Sequence, residues 1–445
     1  MTRAPLLDDD ERIVSVLDIG TSKTCCLIVA LDGDNSDAAT PGTAVAGRLL
    51  GFGELRSAGI RAGTVVDLAK AEDVVRRVIA KAEAMAGRQI EQIVIAASCG
   101  RAASLNFTAT TDILKERIED ADIARVFKAG RDFAVRDGRT LLHMNGLGFG
   151  VDGETGIADP RRMAGKRLAA DLHAVTVDET PLKNLTALID RSYLDVSRLV
   201  AAPYAGSLAS IADDEARFGC LCLDIGGGMT SLAVFAEGHF IHADALAIGA
   251  NQITTDIARR LSTPLDEAER LKTLHGSLAV ASSDVHELIS YPVVDAEEVG
   301  LYEVSRRELR DIIEPRMNEI LSLVRDRLQA SGMLEYTSDR LVITGGGAAL
   351  TGLQDYAEDH LDMHTRIAAP ITLADCPAQL ETPAHAVAFG LIRAVAERRS
   401  TKGDRPPIDA AATAERTIFG QMGQWLRQSL WDDDRDDTRR TGTDN

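Results

Sequence analysis

Asp18-Ile19-Gly20-Thr21-Ser22-Lys23 and Asp224-Ile225-Gly226-Gly227-Gly228-Met229-Thr230 are two versions of one device. In each, a short apolar run (13–17 and 220–223) delivers an aspartate into a glycine turn, and a second apolar run (24–30 and 231–235) leaves it. The pattern predicts a β-hairpin whose turn grips phosphate. Glycine has no Cβ, so the backbone N–H groups of such a turn close on phosphate oxygens, and the hydroxyls of Thr21, Ser22 and Thr230 add donors. Lys23 supplies a point charge. A carboxylate repels phosphate, so Asp18 and Asp224 are assigned to Mg²⁺, held through its water shell. One such turn alone is an ordinary hairpin. Two of them facing each other predict a clamp for the tail of a nucleotide.

A third glycine turn, Leu341-Val342-Ile343-Thr344-Gly345-Gly346-Gly347-Ala348, also follows an apolar run and precedes a helix-like run from Leu350. Gly345, Gly346 and Gly347 let the backbone approach a flat ring or ribose, which suits an adenosine subsite. Glu269 and Lys272 stand one turn apart on an expected helix and share a face. They are either ribose contacts or a solvated ion pair.

The 445 residues exceed one simple core and suit two or more domains. Apolar residues make up 45% of the chain but aromatic ones only 4%, so the cores are built from Ala, Leu, Val and Ile. The net charge of −19 argues against a nucleic-acid partner, whose binding rests on neutralising phosphates with Lys and Arg. Six cysteines, none in a C-x-x-C pair, read as small core residues in a reducing compartment. Residues 1–11 hold no signal-peptide core, and no run reaches the roughly 18–20 apolar residues of a membrane span. The expected location is cytosolic or peripheral to a membrane.

Outward from the turns, apolar spacing at Val74, Val75, Val78 and Ile79 predicts a helix over 68–85. Strand-like 90–98 opens an α+β segment with a helix at 120–135 and a loop-rich run at 142–160, which reads as an insertion. A strand (173–177), a helix (183–193) and a strand (196–200) lead back to the second turn. Helices at 251–261 and 265–275 and a long helix at about 305–331 follow it. The long helix carries Arg306, Arg307 and Arg310 away from its apolar side; they either meet acidic groups of a peptide or form a solvated face.

Residues 399–414 have a linker's composition. Beyond it, at about 100° per residue, Ile418, Phe419, Met422, Trp425, Leu426 and Leu430 gather on one side of a helix over 417–431 that holds both tryptophans of the chain. Trp, Phe and Leu on one face suit a bilayer interface; docking on the chain's own domain or in a partner's groove is the alternative. The acidic run 432–437 means that buried apolar area, not attraction to anionic lipid, must drive membrane binding.

Together these residues resemble the FtsA family of bacterial cell-division proteins, within the actin, Hsp70 and hexokinase superfamily. The insertion is the most specific part: Leu142-His143, Val151-Asp152-Gly153, Gly156-Ile157, Asp159-Pro160, Met163-Ala164-Gly165, Arg167-Leu168 and His173 match the subdomain that replaces the usual actin one, as does the run from Ser57 to Gly63 upstream. The resemblance implies an α/β, actin-like, duplicated ribonuclease-H-like fold, two halves around a nucleotide cleft, with an inserted α+β subdomain. The implied division is subdomain 1A (12–84, 172–205 and 370–397), inserted 1C (85–171), 2A (206–254 and 332–369), 2B (255–331), a linker (398–414), a membrane-targeting helix (415–431) and an acidic tail (432–445). It further implies ATP with Mg²⁺, self-assembly into filaments on the cytoplasmic face of the inner membrane at midcell, capture of the FtsZ C-terminal tail on 2B, and recruitment of later divisome proteins.

Two departures stand out. Actin-like ATPases place a Gln or Glu just ahead of the second turn to orient the attacking water, whereas this chain has Val200-Ala201-Ala202-Pro203-Tyr204-Ala205-Gly206, polar only at Tyr204. ATP binding with slow or negligible turnover is the expectation. Arg161-Arg162 also precede Met163 where the family more often has a glycine. A small-molecule kinase of the same fold and an actin-like pilus-assembly adaptor are the alternatives; the first lacks a candidate base and the second a terminal Trp helix.

Overall fold

The computed structural model describes residues 12–32, 45–294, 301–373 and 376–400. The linker, the helix carrying Ile418, Phe419, Met422, Trp425, Leu426 and Leu430, and the acidic tail lie outside the described residues. Among the described residues no helix is long and apolar enough to cross a membrane.

The chain opens with β1 (Arg12–Ile19), β2 (Lys23–Leu31), β3 (Gly47–Arg56), the short ribbon β4 (Ile60–Arg61) and β5 (Thr64–Val65), helix α1 (Leu68–Ala86) and β6 (Gln92–Ala97). Then come β7 (Ala103–Asp112), α2 (Asp120–Ala134), β8 (Arg139–Val151), β9 (Glu154–Ile157) and β10 (Arg167–Asp178). Helix α3 (Glu179–Asp190), β11 (Asp195–Ala201), α4 (Ala202–Ser210) and α5 (Asp213–Phe218) lead into β12 (Cys220–Ile225), β13 (Thr230–Ala236) and β14 (His239–Leu246). The remainder is α6 (Ala250–Leu261), α7 (Leu265–His275), β15 (Leu288–Pro292), β16 (Leu301–Ser305), α8 (Arg306–Ala330), β17 (Arg340–Thr344), α9 (Leu353–Leu361), β18 (His364–Ile367) and α10 (Ala386–Ser400).

The described residues divide into two compact units, Ser104–Thr176 forming one, and those up to Ala103 together with Val177–Ser400 the other. The larger unit contains two five-stranded sheets, ordered β3-β2-β1-β6-β11 and β14-β13-β12-β17-β18. In both, the first three strands are antiparallel neighbours and the last three parallel ones. One topology is therefore built twice, as the paired aspartate turns imply. Each sheet's central hairpin is closed by the same bond: Gly20 N–H donates to the Lys23 carbonyl (2.9 Å) and Gly226 N–H to that of Met229 (2.8 Å).

Local chemistry sets the helices. Helix α1 starts where Asp67 accepts the Lys70 N–H and stops at Gly87, left-handed at φ 67°. Its stripe of Val74, Val75, Val78 and Ile79 is buried. Helix α8 begins with a capping box between Ser305 and Glu308. Under the first sheet, Leu27 and Val29 of β2 share a core with Ala205 and Ala209 of α4 and with Leu391 and Ile392 of α10. Helices α4 and α10 meet almost backbone to backbone, since a Cβ at Gly390 would fall 1.7 Å from the Ala205 carbonyl oxygen.

The smaller unit is a four-stranded sheet, β7-β10-β8-β9, carrying α2. Ile123 and Val126 of α2 are buried with Phe107, Phe149, Leu168 and Leu172. Two expectations need correction here. The run 142–160 is not loop-rich but mostly strand, β8 and β9. Glycines 146, 148 and 150 and a first stretch half-buried throughout erase the period-2 signal. The insertion is also shorter at its start than 85–171, because β6 pairs with β1 and β11 in the first sheet, and it runs on to Thr176.

Candidate phosphate-binding cleft

Within the larger unit, the two aspartate turns and the third glycine turn converge on one pocket. Its walls include Asp18, Gly20, Thr21, Ser22 and Lys23 from the first turn, Asp224, Gly226, Gly227 and Gly228 from the second, and Gly345 and Gly346 from the third. The first two turns touch. Ser22 Oγ donates to Asn251 Oδ1 at 2.9 Å, and a Cβ on Gly227 would sit 2.0 Å from Ser22 Oγ, one on Gly228 2.7 Å from Thr21 Oγ1. Glycine is demanded there by proximity rather than by backbone angle. Gly345 is demanded by both: its φ is +84°, and a Cβ would lie 2.1 Å from Asp224 Oδ1.

The electrostatics of the pocket are unusual. Burial pushes the Asp18 carboxyl up from 3.8 to about 6, against the pull of Lys23 and His385. Burial, then the charge of Asp18, pushes Asp224 up to about 7. Two carboxylates that repel one another in a desolvated cleft are short of a cation. Lys23 cannot neutralise both. Its buried ammonium forms an ion pair with Glu54 at 3.4 Å and makes no hydrogen bond. Glu54 in turn accepts from His385 at 2.7 Å, which holds its carboxyl below the ordinary range. A hard divalent cation with phosphates fits this donor set: acids without counter-charge, a lysine with spare donors, and turns with no side chain in the way.

Not every expected residue faces the pocket. Thr230 does not: its hydroxyl is fully buried and donates to the Ile248 carbonyl at 2.9 Å. The reason is parity, since Thr230 pairs with buried Ile225 whereas Ser231 pairs with Asp224; it is Ser231 that lines the pocket. Gly347 is packed against Ile225 instead. Glu269 and Lys272 do not line the pocket either. They form a half-buried cluster in which Lys272 donates to Glu269 (2.7 Å) and to Thr254 Oγ1 (2.9 Å), and Thr254 donates to Glu269 (2.5 Å).

The arginine face of α8 is largely committed as well. Arg306 pairs with Glu287 at 2.9 Å and Arg310 with Asp284 at 3.5 Å, leaving Arg307 exposed. Residues the sequence reading left unassigned include Ser98, Pro383 and Ala384 around the pocket, and Glu54 and His385 behind it. Gly63, another lining residue, lies in the run already matched to the family, and its N–H donates to Thr21 Oγ1 at 3.2 Å.

The wall before the second turn consists of Ala202 and Pro203 at the start of α4. Tyr204 is drawn away into an aromatic cluster with Phe235 and Phe240. Among the described residues all cysteines are free, and burial raises every thiol pKa.

Comparison with known proteins decides the family. A family model described as "Cell division protein FtsA" matches residues 221–390, and the "SHS2 domain inserted in FTSA" matches residues 100–176, which include the whole smaller unit. The cell division protein FtsA of Agrobacterium fabrum is 38% identical over 436 residues, covering 96% of this chain and 97% of its own. This chain belongs to the FtsA family. FtsA of Escherichia coli is 28% identical over 426 residues, covering 94% of this chain and 97% of its own. Among solved structures, the PilM–PilN type IV pilus biogenesis complex matches with a TM-score of 0.58 and 18% identity, covering 86% of this chain and 98% of that one. MreB5 of Spiroplasma citri bound to ADP matches with a TM-score of 0.52 and 14% identity, covering 88% and 99%. These share the actin-like fold; the FtsA sequence match separates this chain from the pilus and kinase readings. It is an actin-like cell-division protein.

Proposed function

We propose that this FtsA-family protein binds Mg²⁺·ATP in the cleft and uses it to control assembly on the cytoplasmic face of the inner membrane at the division septum. The observation that carries the reading is the pair of desolvated, mutually repelling carboxylates, Asp18 and Asp224, between two touching glycine turns. The ADP-bound MreB5 structure of the same fold supports a nucleotide as the ligand. Asp18 and Asp224 would hold the ion through its waters, and the ion supplies the charge that offsets carboxylates and phosphates alike. Lys23 brings an ammonium already stripped of water, and the amides of Gly227 and Gly228, which take no part in closing the hairpin, are donors for phosphate. Gly345 and Gly346 leave a bare backbone for the nucleoside end.

Hydrolysis is a minor part of this reading. Water attack on phosphate requires an oriented nucleophile, and Ala202 and Pro203 offer no carboxylate or amide to orient it. Nucleotide occupancy then acts as a conformational control on polymerisation. Residues 415–431 would bring the filament to lipid through Trp425, Leu426 and their neighbours, and repetition along a filament multiplies a weak single-helix affinity. The segment 255–331 is our candidate surface for the FtsZ tail, with Arg307 the available cation of the α8 trio. The smaller unit is the candidate surface for later divisome proteins.

Co-sedimentation tests the reading. The full chain with Mg²⁺·ATP should pellet with inner-membrane-like vesicles and carry a labelled FtsZ tail peptide into the pellet. Deleting residues 418–431 should abolish both. Unchanged vesicle pelleting after the deletion rejects the membrane role, and a peptide left in the supernatant rejects the FtsZ role.

A further inference from the structure

One rung of the first sheet sets Asp18, Cys25 and Glu54 side by side. Asp18 pairs with Cys25 across β1 and β2, and Cys25 with Glu54 across β2 and β3. Directly paired residues project to the same face. His385, from the turn that opens α10, reaches the same place, so that a sulfur, a carboxylate oxygen and an imidazole nitrogen all lie within 4.8 Å of one another.

The phosphate reading uses none of these three as a ligand. Cys25 and His385 are buried while Glu54 is open to solvent, which gives the cluster an entry path. His385 is also held as metal-binding histidines are held: Nδ1 lies 2.8 Å from Thr382 Oγ1, and Nε2 faces the cluster. A partner on one ring nitrogen orients the ring and aims the other at an ion; Nε2 now donates to Glu54, so an ion there requires the Nδ1–H tautomer, with Nδ1 donating to Thr382 Oγ1.

We propose that Cys25, Glu54 and His385 form a site for a soft or borderline divalent cation of the Zn²⁺ type, separate from the hard Mg²⁺ position at Asp18 and Asp224. A thiolate, an imidazole and a carboxylate, with a fourth position open to water on the Glu54 side, are the donors of a three-ligand zinc site. The thiolate and carboxylate balance the two charges of the ion. On binding, the thiol proton leaves to solvent, the neutral imidazole exchanges its Nε2 proton for one on Nδ1, and no electron moves. The same carboxylate now pairs with Lys23, so an ion that takes Glu54 releases the Lys23 ammonium towards the cleft.

Cobalt is the probe. The metal-free full chain, held in excess Mg²⁺ to occupy hard oxygen sites, is titrated with Co²⁺ and then with Zn²⁺. The expected result is one equivalent of Co²⁺ with a near-ultraviolet thiolate charge-transfer band, displaced by Zn²⁺. The band should be absent in Cys25→Ser, a near-isosteric change. Glu54→Gln, which keeps the shape of the side chain, should bind at least about tenfold more weakly, as should Thr382→Val. Cys376→Ser should behave as wild type. No band in the wild-type chain, a band retained in Cys25→Ser, or loss of the band in Cys376→Ser would overturn the proposal. So would a Glu54→Gln chain with wild-type affinity.

Discussion

Asp224→Asn should make the ligand-free protein more stable while destroying nucleotide binding. Asp224 is raised from 3.8 to about 7 and Asp18 to about 6. Between those pH values the folded chain holds protons that the unfolded chain has released, so stability falls as pH rises from about 4 to about 7 and is level above. At about 1.4 kcal/mol per pK unit, Asp224 alone accounts for at most about 4 kcal/mol of instability at pH 8. Part of this is repulsion from Asp18, and both carboxylates keep some contact with the cleft, so about 2–4 kcal/mol is the expected gain on neutralisation. At pH 3, below the unfolded carboxyl's 3.8, Asp224 carries its proton in both the folded and the unfolded chain, and the two proteins should agree to within about 0.5 kcal/mol. Urea unfolding in EDTA at both pH values measures this difference directly. Mg²⁺·ATP at a hundred times its Kd should then add about 2.7 kcal/mol to the wild-type chain and nothing to the variant. If Asp224→Asn is no more stable than wild type at pH 8, the two carboxylates are not in conflict, and the argument for a cation between the turns fails.

Gly345→Ala places a Cβ 2.1 Å from Asp224 Oδ1 at a φ of +84°; it should cost at least about 2 kcal/mol in urea unfolding and weaken nucleotide binding measured by calorimetry. Purified protein should turn over ATP well below the ~1 s⁻¹ floor of kinases, and a phosphate-release assay giving several turnovers per second contradicts the water-orientation argument. Arg316 makes two hydrogen bonds to Asp256, at 2.7 and 3.1 Å, tying α8 to α6. Arg316→Ala should cost about 1–3 kcal/mol by leaving Asp256 unpaired, and in a double-mutant cycle with Asp256→Asn the two losses should fall short of additive.

The duplicated topology was legible because each copy carries its own marker, an aspartate and glycines between two apolar runs. The same hairpin chemistry recurs at Gly20 and Gly226, so a local reading reached a global conclusion. Helices with strong spacing and caps, such as α1 and α8, were placed to within a residue or so. Strand β8 was missed because its glycines and half-buried first stretch leave no alternation to read. Thr230 was misassigned by one residue, and counting the pairing parity from Asp224 would have pointed to Ser231. The Glu54–His385 contact joins positions 331 residues apart, and nothing local in either stretch announces it. The arginines of α8 looked free because their acidic partners, Glu287 and Asp284, come from the preceding polar stretch, which has no regular period.

The near-bare crossing of α4 and α10 has a mechanical meaning. Helix α10 is the last described element before the segment that holds the proposed lipid-seeking helix, and Gly390 lets its backbone rest on that of Ala205. The first turn of α4 is itself a wall of the cleft, through Ala202 and Pro203. If the proposed C-terminal helix holds lipid, tension drawn through it would enter the fold one helix away from the proposed phosphate site, across a crossing set by Gly390 and the Ala205 backbone. On the proposed function, a filament under load at a membrane would feel that load at its nucleotide.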